Sequence, residues 1–395
     1  MKYPRIINSI LDSDLYKFTQ QQAVIKLFPR ADVKYEFINR RKEDKFPEGF
    51  ASELRKQVDS FKELKLTNEE RIKLTEKCGS YLDPTYITYL NGYRFDPSQV
   101  GIIQTNGDLQ VVIEGPWHET ILWEVPLMAV ISELFFKMTG QIMKSEDERT
   151  EINLTKSKLF NFNNIKVVDF GTRRRASFDN QEKVIKDFLE NNLHKWFIGT
   201  SNVYFGLKYN LKIIGTHAHE WFMFHGVKYG YRMANKLAMD NWVNVYRGDL
   251  GIALSDTFTT DSFFNSFDLS LAKLFDGVRH DSGDPFEFAN KVINHYNSLG
   301  IDPKTKTIVF SDSLDPQLAI DINEYCNGKI KASFGIGTNL TNDVGFRPLN
   351  MVIKMTFAKP FGKQYIGTVK LSDNPIKHLG LDSEIELCKR DLSLM

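Results

Sequence analysis

Between Phe197 and Phe222 the chain reads FIGTSNVYFGLKYNLKIIGTHAHEWF, where two short apolar runs each end in Gly-Thr and then in small polar or histidine residues. A buried strand delivers chemistry this way, at its carboxyl end. If Lys212 to His219 stays extended, the period of two places His217 and His219 on one side and Ala218 and Glu220 on the other. Two imidazoles so placed form a metal pair, a nucleophile or base with its neighbour, or two helix-start histidines without chemistry.

Three other clusters carry chemistry at short spacing. DFGTRRRAS (169–177) sets Arg173, Arg174 and Arg175 just after a strand end, where guanidinium groups suit the oxygens of a pyrophosphate; a solvated basic helix start is the plainer alternative for Arg174. RHDSGDP (279–285) offers Arg279 with Asp281 and Asp284, which could take a sugar diol and Mg²⁺ together, although Asp284 also fits a helix cap. SFGIGTN (333–339) is a glycine-rich turn whose amides can cradle a phosphate, and SDS (311–313) adds Asp312 on a neighbouring strand end. His225, His280 and His295 would complete a metal set with His217 and His219, so a metal-dependent barrel hydrolase is the competing reading. Its weakness is order, because two strand-helix units precede the His-x-His pair. Tyr16 and Trp117 read as core aromatics unless something else recruits them.

The elements that must position these clusters are legible as rhythm. From Ile165 onward, IKVVDF, WFIGT, LKIIGT, LGIALSD, FDGVRHD, TIVFSD and KASFGIGT alternate with helix-length segments, and each ends in a polar cluster. Buried strands followed by helices give parallel units, and polar residues gathered at strand ends are what a TIM-type barrel shows at its active face. The expected fold is α/β, an irregular TIM-like barrel over 136–347 with a smaller α+β sheet domain. That domain takes residues 1–135 and the tail 348–395. Its expected elements are a helix from Leu15 to Phe28, a strand from Val33 to Ile38, two charged amphipathic helices within Pro47 to Gly79, strands at Leu109 to Glu114 and Trp117 to Trp123, and an apolar helix from about Pro126 to Met143. MVIKMTFA and KQYIGTVKLS in the tail read as paired strands that rejoin it.

Bulk properties narrow the partners. With 395 residues, 42% hydrophobic and 26% charged, the chain is long enough for one large and one smaller core. Lys plus Arg (51) nearly cancels Asp plus Glu (50), so no global field favours nucleic acid or an anionic membrane, and phosphate binding must come from local clusters. Cys78, Cys326 and Cys388 are scattered without CxxC spacing, which speaks against a disulfide framework or structural zinc. No apolar leader and no long uncharged apolar run are found, so a cytoplasmic enzyme is the default expectation.

Taken in order, LDSDLYKFTQ (11–20), VKYEFINR (33–40), DFGTRRRAS, GTSNV, GTHAHEW, SDTF (255–258), VRHDSGDP, FSDSLD (310–315) and FGIGTNLTND (334–343) resemble nicotinate phosphoribosyltransferases. The resemblance implies synthesis of nicotinate mononucleotide and pyrophosphate from nicotinate and phosphoribosyl pyrophosphate, a step of NAD biosynthesis. It also implies ATP hydrolysis coupled through a phosphohistidine, a ligase-type activity. His219 occupies the family's histidine in GTxAHE, and His217 its variable position. Implied roles are Arg173, Arg175 and Mg²⁺ for pyrophosphate, Asp281 for the ribose hydroxyls, and Asp312, Gly335, Gly337 and Thr338 for phosphate. Mg²⁺ would come mainly on substrate phosphates, with Asp281 and Asp284 as protein ligands. Phe170 would stack on the pyridine ring and Arg279 meet the carboxylate, while Tyr16 covers the ring from the partner subunit of a homodimer. Relatives that use nicotinamide carry Asp where this chain has Ser201, which favours the acid.

Overall fold

The computed structural model describes residues 2–192 and 195–394. Among the described residues twelve strands are distributed over two sheets: β1 (Asp32–Asn39), β2 (Val100–Thr105), β3 (Asp108–Pro116), β4 (Val167–Asp169), β5 (Phe197–Thr200), β6 (Lys212–Ile213), β7 (Ile252–Leu254), β8 (Gly277–His280), β9 (Thr307–Phe310), β10 (Lys331–Ile336), β11 (Met351–Lys359) and β12 (Ile366–Gly367). β4 to β10 form a curled parallel sheet in the order β6-β5-β4-β10-β9-β8-β7. All seven are the apolar runs expected from the rhythm after Ile165. The circle is incomplete, because β6 and β7 are not paired to each other. Between them in sequence lie two helices, His219–Tyr229 and Tyr231–Tyr246.

The strands are short because each needs only two to six residues to cross a core buried on both faces. Their spacing is tight enough to dictate composition. Gly277 opens β8, and a Cβ there would stand 1.8 Å from the carbonyl oxygen of Thr307 on β9, so any side chain would force the pair apart.

The second sheet is antiparallel in the order β12-β11-β1-β3-β2, so the tail does rejoin the N-terminal strands. β1 alternates buried and half-buried positions as its VKYEFI pattern requires. Residues from both sheets belong to one continuous hydrophobic core. The expected strand at Trp117 to Trp123 is instead helical, as Trp117–Thr120 followed by a 3₁₀ turn over Ile121–Trp123. Trp117, Ile121 and Leu122 are buried at helical spacing, and β3 has already ended at Pro116, whose missing N–H cannot extend the ladder. The apolar helix that follows is Glu124–Met138, with nearly every side chain to Phe136 buried. It lies against the turn after β4, where Ser132 Oγ donates to the Arg175 carbonyl at 2.7 Å and Glu133 accepts from the Phe178 amide at 2.9 Å.

Candidate active site

The carboxyl ends of β4, β5, β8, β9 and β10 meet at one mouth, and the expected clusters meet there with them. β4 ends in Asp169 and Phe170, and the backbone of β10 lies flat against that ring. A Cβ on Gly335 would be 2.3 Å from Phe170 ring carbons, so only a residue without a side chain leaves room for that ring. Gly337 and Thr338 follow at the start of the short helix Thr338–Thr341. That turn is stapled to the turn after β4. Thr341 Oγ1 donates to the Gly171 carbonyl at 3.0 Å, Asn342 Nδ2 donates to the Arg174 carbonyl at 2.7 Å, and buried Lys156 holds the Asn339 carbonyl and Asp343.

His219 begins the helix after β6 with its ring fully engaged. Nε2 lies 2.9 Å from Asp281 Oδ2, and Nδ1 lies 3.0 Å from Thr257 Oγ1 and 3.6 Å from Asp256 Oδ1. Burial pushes this imidazole down to about 4, and the Lys370 ammonium adds to burial against the pull of Asp256 and Asp281. The ring is therefore neutral at physiological pH. Asp281 is held well below the usual carboxylate range: burial opposes ionisation but is outweighed by Arg279 and by the bond to His219. An ionised Asp281 can only accept, so the ring proton belongs on Nε2 and the lone pair on Nδ1. Asp281 Oδ1 also accepts from Arg279 Nη2 at 2.7 Å and from Ser311 Oγ at 3.0 Å. Arg279 is completed by Ser311 Oγ at 2.8 Å from Nε and Thr216 Oγ1 at 3.2 Å from Nη1. Three of its five N–H groups are thus engaged among the described residues.

His217 does not join His219. β6 ends at Ile213, so the extended geometry that would have aligned them is lost. The His217 ring is 0% exposed and packs edge-on against Phe222 and Trp242, at 5.1 and 4.8 Å between centroids. Burial, with Arg279 and His219 adding, drives it down to about 3. The other histidines of the supposed metal set face elsewhere. His225 lies on Trp221 O and Asn241, His280 on Gly283 O and His295 on Phe267 O. The hydrolase reading loses its metal pair.

Two other expectations change. Arg175 is no phosphate ligand: it is 0% exposed and makes a two-pronged ion pair with Asp12, both contacts 2.7 Å, plus a 3.2 Å bond to Gln181. The 3₁₀ turn Thr172–Arg174 rotates it inward, while Arg173 and Arg174 stay half-buried. Removing one partner of such a buried pair costs about 3 to 5 kcal/mol. Arg175→Met should therefore lower unfolding free energy by that order in a denaturant titration, and unchanged stability with weakened phosphate binding would restore the original role. Asp284 is exposed, and its Oδ1 accepts from the Phe286 and Glu287 amides at 2.9 and 2.8 Å as the cap of helix Pro285–Ser298, so it stands apart from Asp281. Among the described residues, the donor set that could hold a cation is His219, Asp256 and Asp281, whose ligand atoms lie within 4.8 Å of one another. Asp256 Oδ1 is buried and without a hydrogen-bond partner among the described residues, as a group awaiting a cation or donor would be.

Arg173 lies 3.5 Å from Glu124, and its guanidinium is raised above the usual range first by Tyr16, against burial, then by Glu124 and Asp14. Tyr16 is thus a near neighbour of Arg173 within one chain. Ser201 Oγ donates to Asp14 Oδ1 at 2.8 Å, and the Ser201 amide bonds Asp169 O, so both stand beside the Phe170 platform. Asp312 accepts from Lys377 Nζ at 2.6 Å, so its carboxylate already holds a cation. A separate 520 Å³ cavity, lined in part by Thr259, Asp284, Lys291 and Asp373, lies beyond the Ser282–Asp284 turn, away from Phe170 and His219.

Sequence profiles of two families cover most of the chain: the nicotinate phosphoribosyltransferase (NAPRTase) family over residues 165–389, and the NAPRTase N-terminal domain over residues 11–132. The nicotinate phosphoribosyltransferase of Chromohalobacter salexigens is 52% identical over 391 residues, spanning 98% of this chain and 99% of that protein. The chain belongs to the nicotinate phosphoribosyltransferase family. The Desulforapulum autotrophicum member is also 52% identical, over 97% of this chain and 98% of that one. Crystal structures of family members superpose closely. The Porphyromonas gingivalis structure gives a TM-score of 0.95 at 45% identity, over 98% of this chain and 100% of that one; the Vibrio cholerae structure gives 0.91 at 36%, over 99% and 94%.

Several residues packed around His219 and Asp281 lie outside the expected set. Asp256 and Thr257 sit in the SDTF motif, where a carboxylate after an apolar run was a usable signal. Lys370, 3.4 Å from Asp256, and Lys377 come from the tail, where no local pattern marks them. Glu220 proves to be an anchor. It accepts from Lys17 and Tyr35, both at 2.5 Å, and Lys17 also pairs with Glu124 at 2.5 Å, tying the first turn of the His219 helix to the N-terminal helix Leu15–Leu27.

Proposed function

We propose that this protein is a nicotinate phosphoribosyltransferase, forming nicotinate mononucleotide and pyrophosphate from nicotinate and phosphoribosyl pyrophosphate, with ATP hydrolysis coupled through phosphorylation of His219. The observation that carries the reading is the chain His219–Asp281–Arg279 at the mouth where Phe170 lies on Gly335. Cleaving the glycosidic C–O bond develops positive character on the ribose and negative charge on pyrophosphate, so carboxylates and cations must converge, as Asp281, Arg173, Arg174 and Lys377 do. The Nδ1 lone pair of His219 is the nucleophile toward the γ-phosphate, and Asp281 fixes the tautomer from the other side of the ring. Mg²⁺ arriving on the substrate phosphates supplies charge neutralisation, and Asp256 and Asp281 are the residues that would hold it. The decisive assay is nucleotide formation from nicotinate and phosphoribosyl pyrophosphate with and without ATP. No product under either condition would remove the reading.

The reading extends to a homodimer with shared sites in the cytoplasm. Its support is the family resemblance, whereas the single chain already sets Tyr16 beside its own Arg173. Mixing Tyr16→Ala and Asp281→Ala chains is expected to recover part of the lost activity, since some mixed dimers keep one intact site. No recovery after verified subunit exchange would mean that each site is complete in one chain.

A further inference from the structure

His219 and Asp256 face each other as two acceptors. Asp256 is buried and commits only one of its oxygens: Oδ2 accepts from Ser282 Oγ at 2.7 Å and from Ser372 Oγ at 3.1 Å, and lies 3.4 Å from Lys370 Nζ. Oδ1 has no hydrogen-bond partner among the described residues and lies 3.6 Å from His219 Nδ1. With the ring proton on Nε2, Nδ1 offers a lone pair toward a carboxylate oxygen that also only accepts. A proton shared between them would draw the pair to about 2.9 Å, whereas two donors to one tetrahedral ion, each with a bond of about 2.0 to 2.1 Å, stand about 3.4 Å apart. The observed spacing fits the second arrangement.

We infer that His219 Nδ1 and Asp256 Oδ1 form a binding site for a borderline transition-metal dication of the Zn²⁺ type, and that the bound ion inhibits the enzyme by occupying the nucleophilic nitrogen. The site rests on this geometry alone; the inhibition rests on the proposed function. Both donors are already free of protons, so binding forms two metal–ligand bonds and releases none. Thr257 Oγ1, 3.0 Å from Nδ1, gives up its hydrogen bond to that nitrogen when the ion enters.

The surroundings select the ion. Asp281 Oδ2, 2.9 Å from Nε2, stands where a carboxylate that orients a metal-bound imidazole stands, on the ring nitrogen opposite the metal. The remaining oxygens are committed, Asp256 Oδ2 to two serines and Lys370, and Asp281 Oδ1 to Arg279 and Ser311. An oxygen cage for Mg²⁺ or Ca²⁺ is therefore not offered by the protein alone, while one imidazole nitrogen with one carboxylate oxygen and water suits Zn²⁺. A Mg²⁺ carried in on substrate phosphates needs no imidazole, so the two ions differ in their dependence on His219. The Lys370 and Arg279 cations oppose any dication here, which makes the site reversible in contrast to a structural zinc centre. Entry lies past Asp281, whose side chain is 21% exposed against 6% for His219 and 1% for Asp256.

The test is equilibrium titration of the whole protein with Zn²⁺ alone, read by competition with a chromophoric chelator in the absence of every substrate. One ion per chain should bind in the micromolar range, and excess Mg²⁺ should not displace it. His219→Asn and Asp256→Asn should each abolish this binding, and Asp281→Asn should weaken it about ten- to hundredfold. The unaltered protein supplies a check that needs no variant: Co²⁺ in the same site should show the intense visible absorption of a four-coordinate ion. Zn²⁺ should also suppress label transfer from γ-labelled ATP in the presence of excess Mg²⁺. Zn²⁺ taken up only in the millimolar range, Zn²⁺ held equally well by His219→Asn, or the weak spectrum of six-coordinate Co²⁺ overturns the inference. Zn²⁺ bound as expected by a protein that forms no nucleotide supports the site and removes the proposed function.

Discussion

His219→Asn should abolish acid-labile label transfer from γ-labelled ATP and the stimulation of synthesis by ATP, leaving slow ATP-independent nucleotide formation. The physical basis is that Nδ1 is the only nucleophile on that ring, and asparagine offers no comparable lone pair. His217→Asn should keep the label, because His217 is enclosed by Phe222 and Trp242 and cannot reach solvent or ligand. Asp281→Asn should reduce labelling by on the order of 10²- to 10⁴-fold, since the amide can force the wrong tautomer on His219 and frees Arg279. The pH dependence carries its own signature. With His219 pushed down to about 4, the ring is neutral throughout pH 5.5 to 8 and labelling should not change through its titration. An ordinary histidine would gain about tenfold over that range. Label surviving in His219→Asn and vanishing in His217→Asn would transfer the nucleophile to the neighbouring imidazole.

Acid should destabilise this protein well before its ordinary, unshifted carboxylates are titrated. His217, His219 and His225 are buried and neutral, lowered by burial to about 3, 4 and 3. In the unfolded chain each returns to about 6.5. Below that pH the unfolded state binds more protons than the folded one, so stability falls as pH falls. Each histidine withdraws about 2 kcal/mol by pH 5 relative to a fully neutral ring. Asp14 works in the opposite sense. Its folded value of about 6 lies above its unfolded one, so its proton is bound first in the folded state and returns about 1.4 kcal/mol by pH 5. The net expectation from pH 7 to 5 is a loss on the order of 4 kcal/mol in denaturant-derived unfolding free energy. His225→Gln, remote from the reaction, should reduce that slope by about one proton. A stability profile flat from pH 7 to 5 would show that these rings are not neutral in the fold.

The barrel strands were legible in the amino-acid order because each is a local event: an apolar run long enough to cross the core, stopped by residues that prefer water or a ligand. The same locality placed Phe170, Arg173, His219, Arg279 and Asp281 at one mouth, since parallel strands put all their carboxyl ends on one side. Tertiary structure decided what spacing cannot encode. Arg173 and Arg175 are two residues apart with the same side chain, and only the 3₁₀ turn between them sends one to the site and the other to Asp12. His217 and His219 separate because β6 stops at Ile213 for want of a further strand to pair with, β6 being the sheet's edge. Gly335 has to be glycine for a reason its turn motif does not show, because the ring that fills the space of its missing Cβ arrives from the end of β4, more than 160 residues earlier. Asp14 and Lys370 come from opposite ends of the chain, and their charges acquire meaning only where Ser201 and Asp256 are buried beside them. Residue order determined which side chains stand at the strand ends; long-range packing determined which of them face a ligand and in which protonation state, because burial and opposing charge act through space and leave no periodicity in the chain.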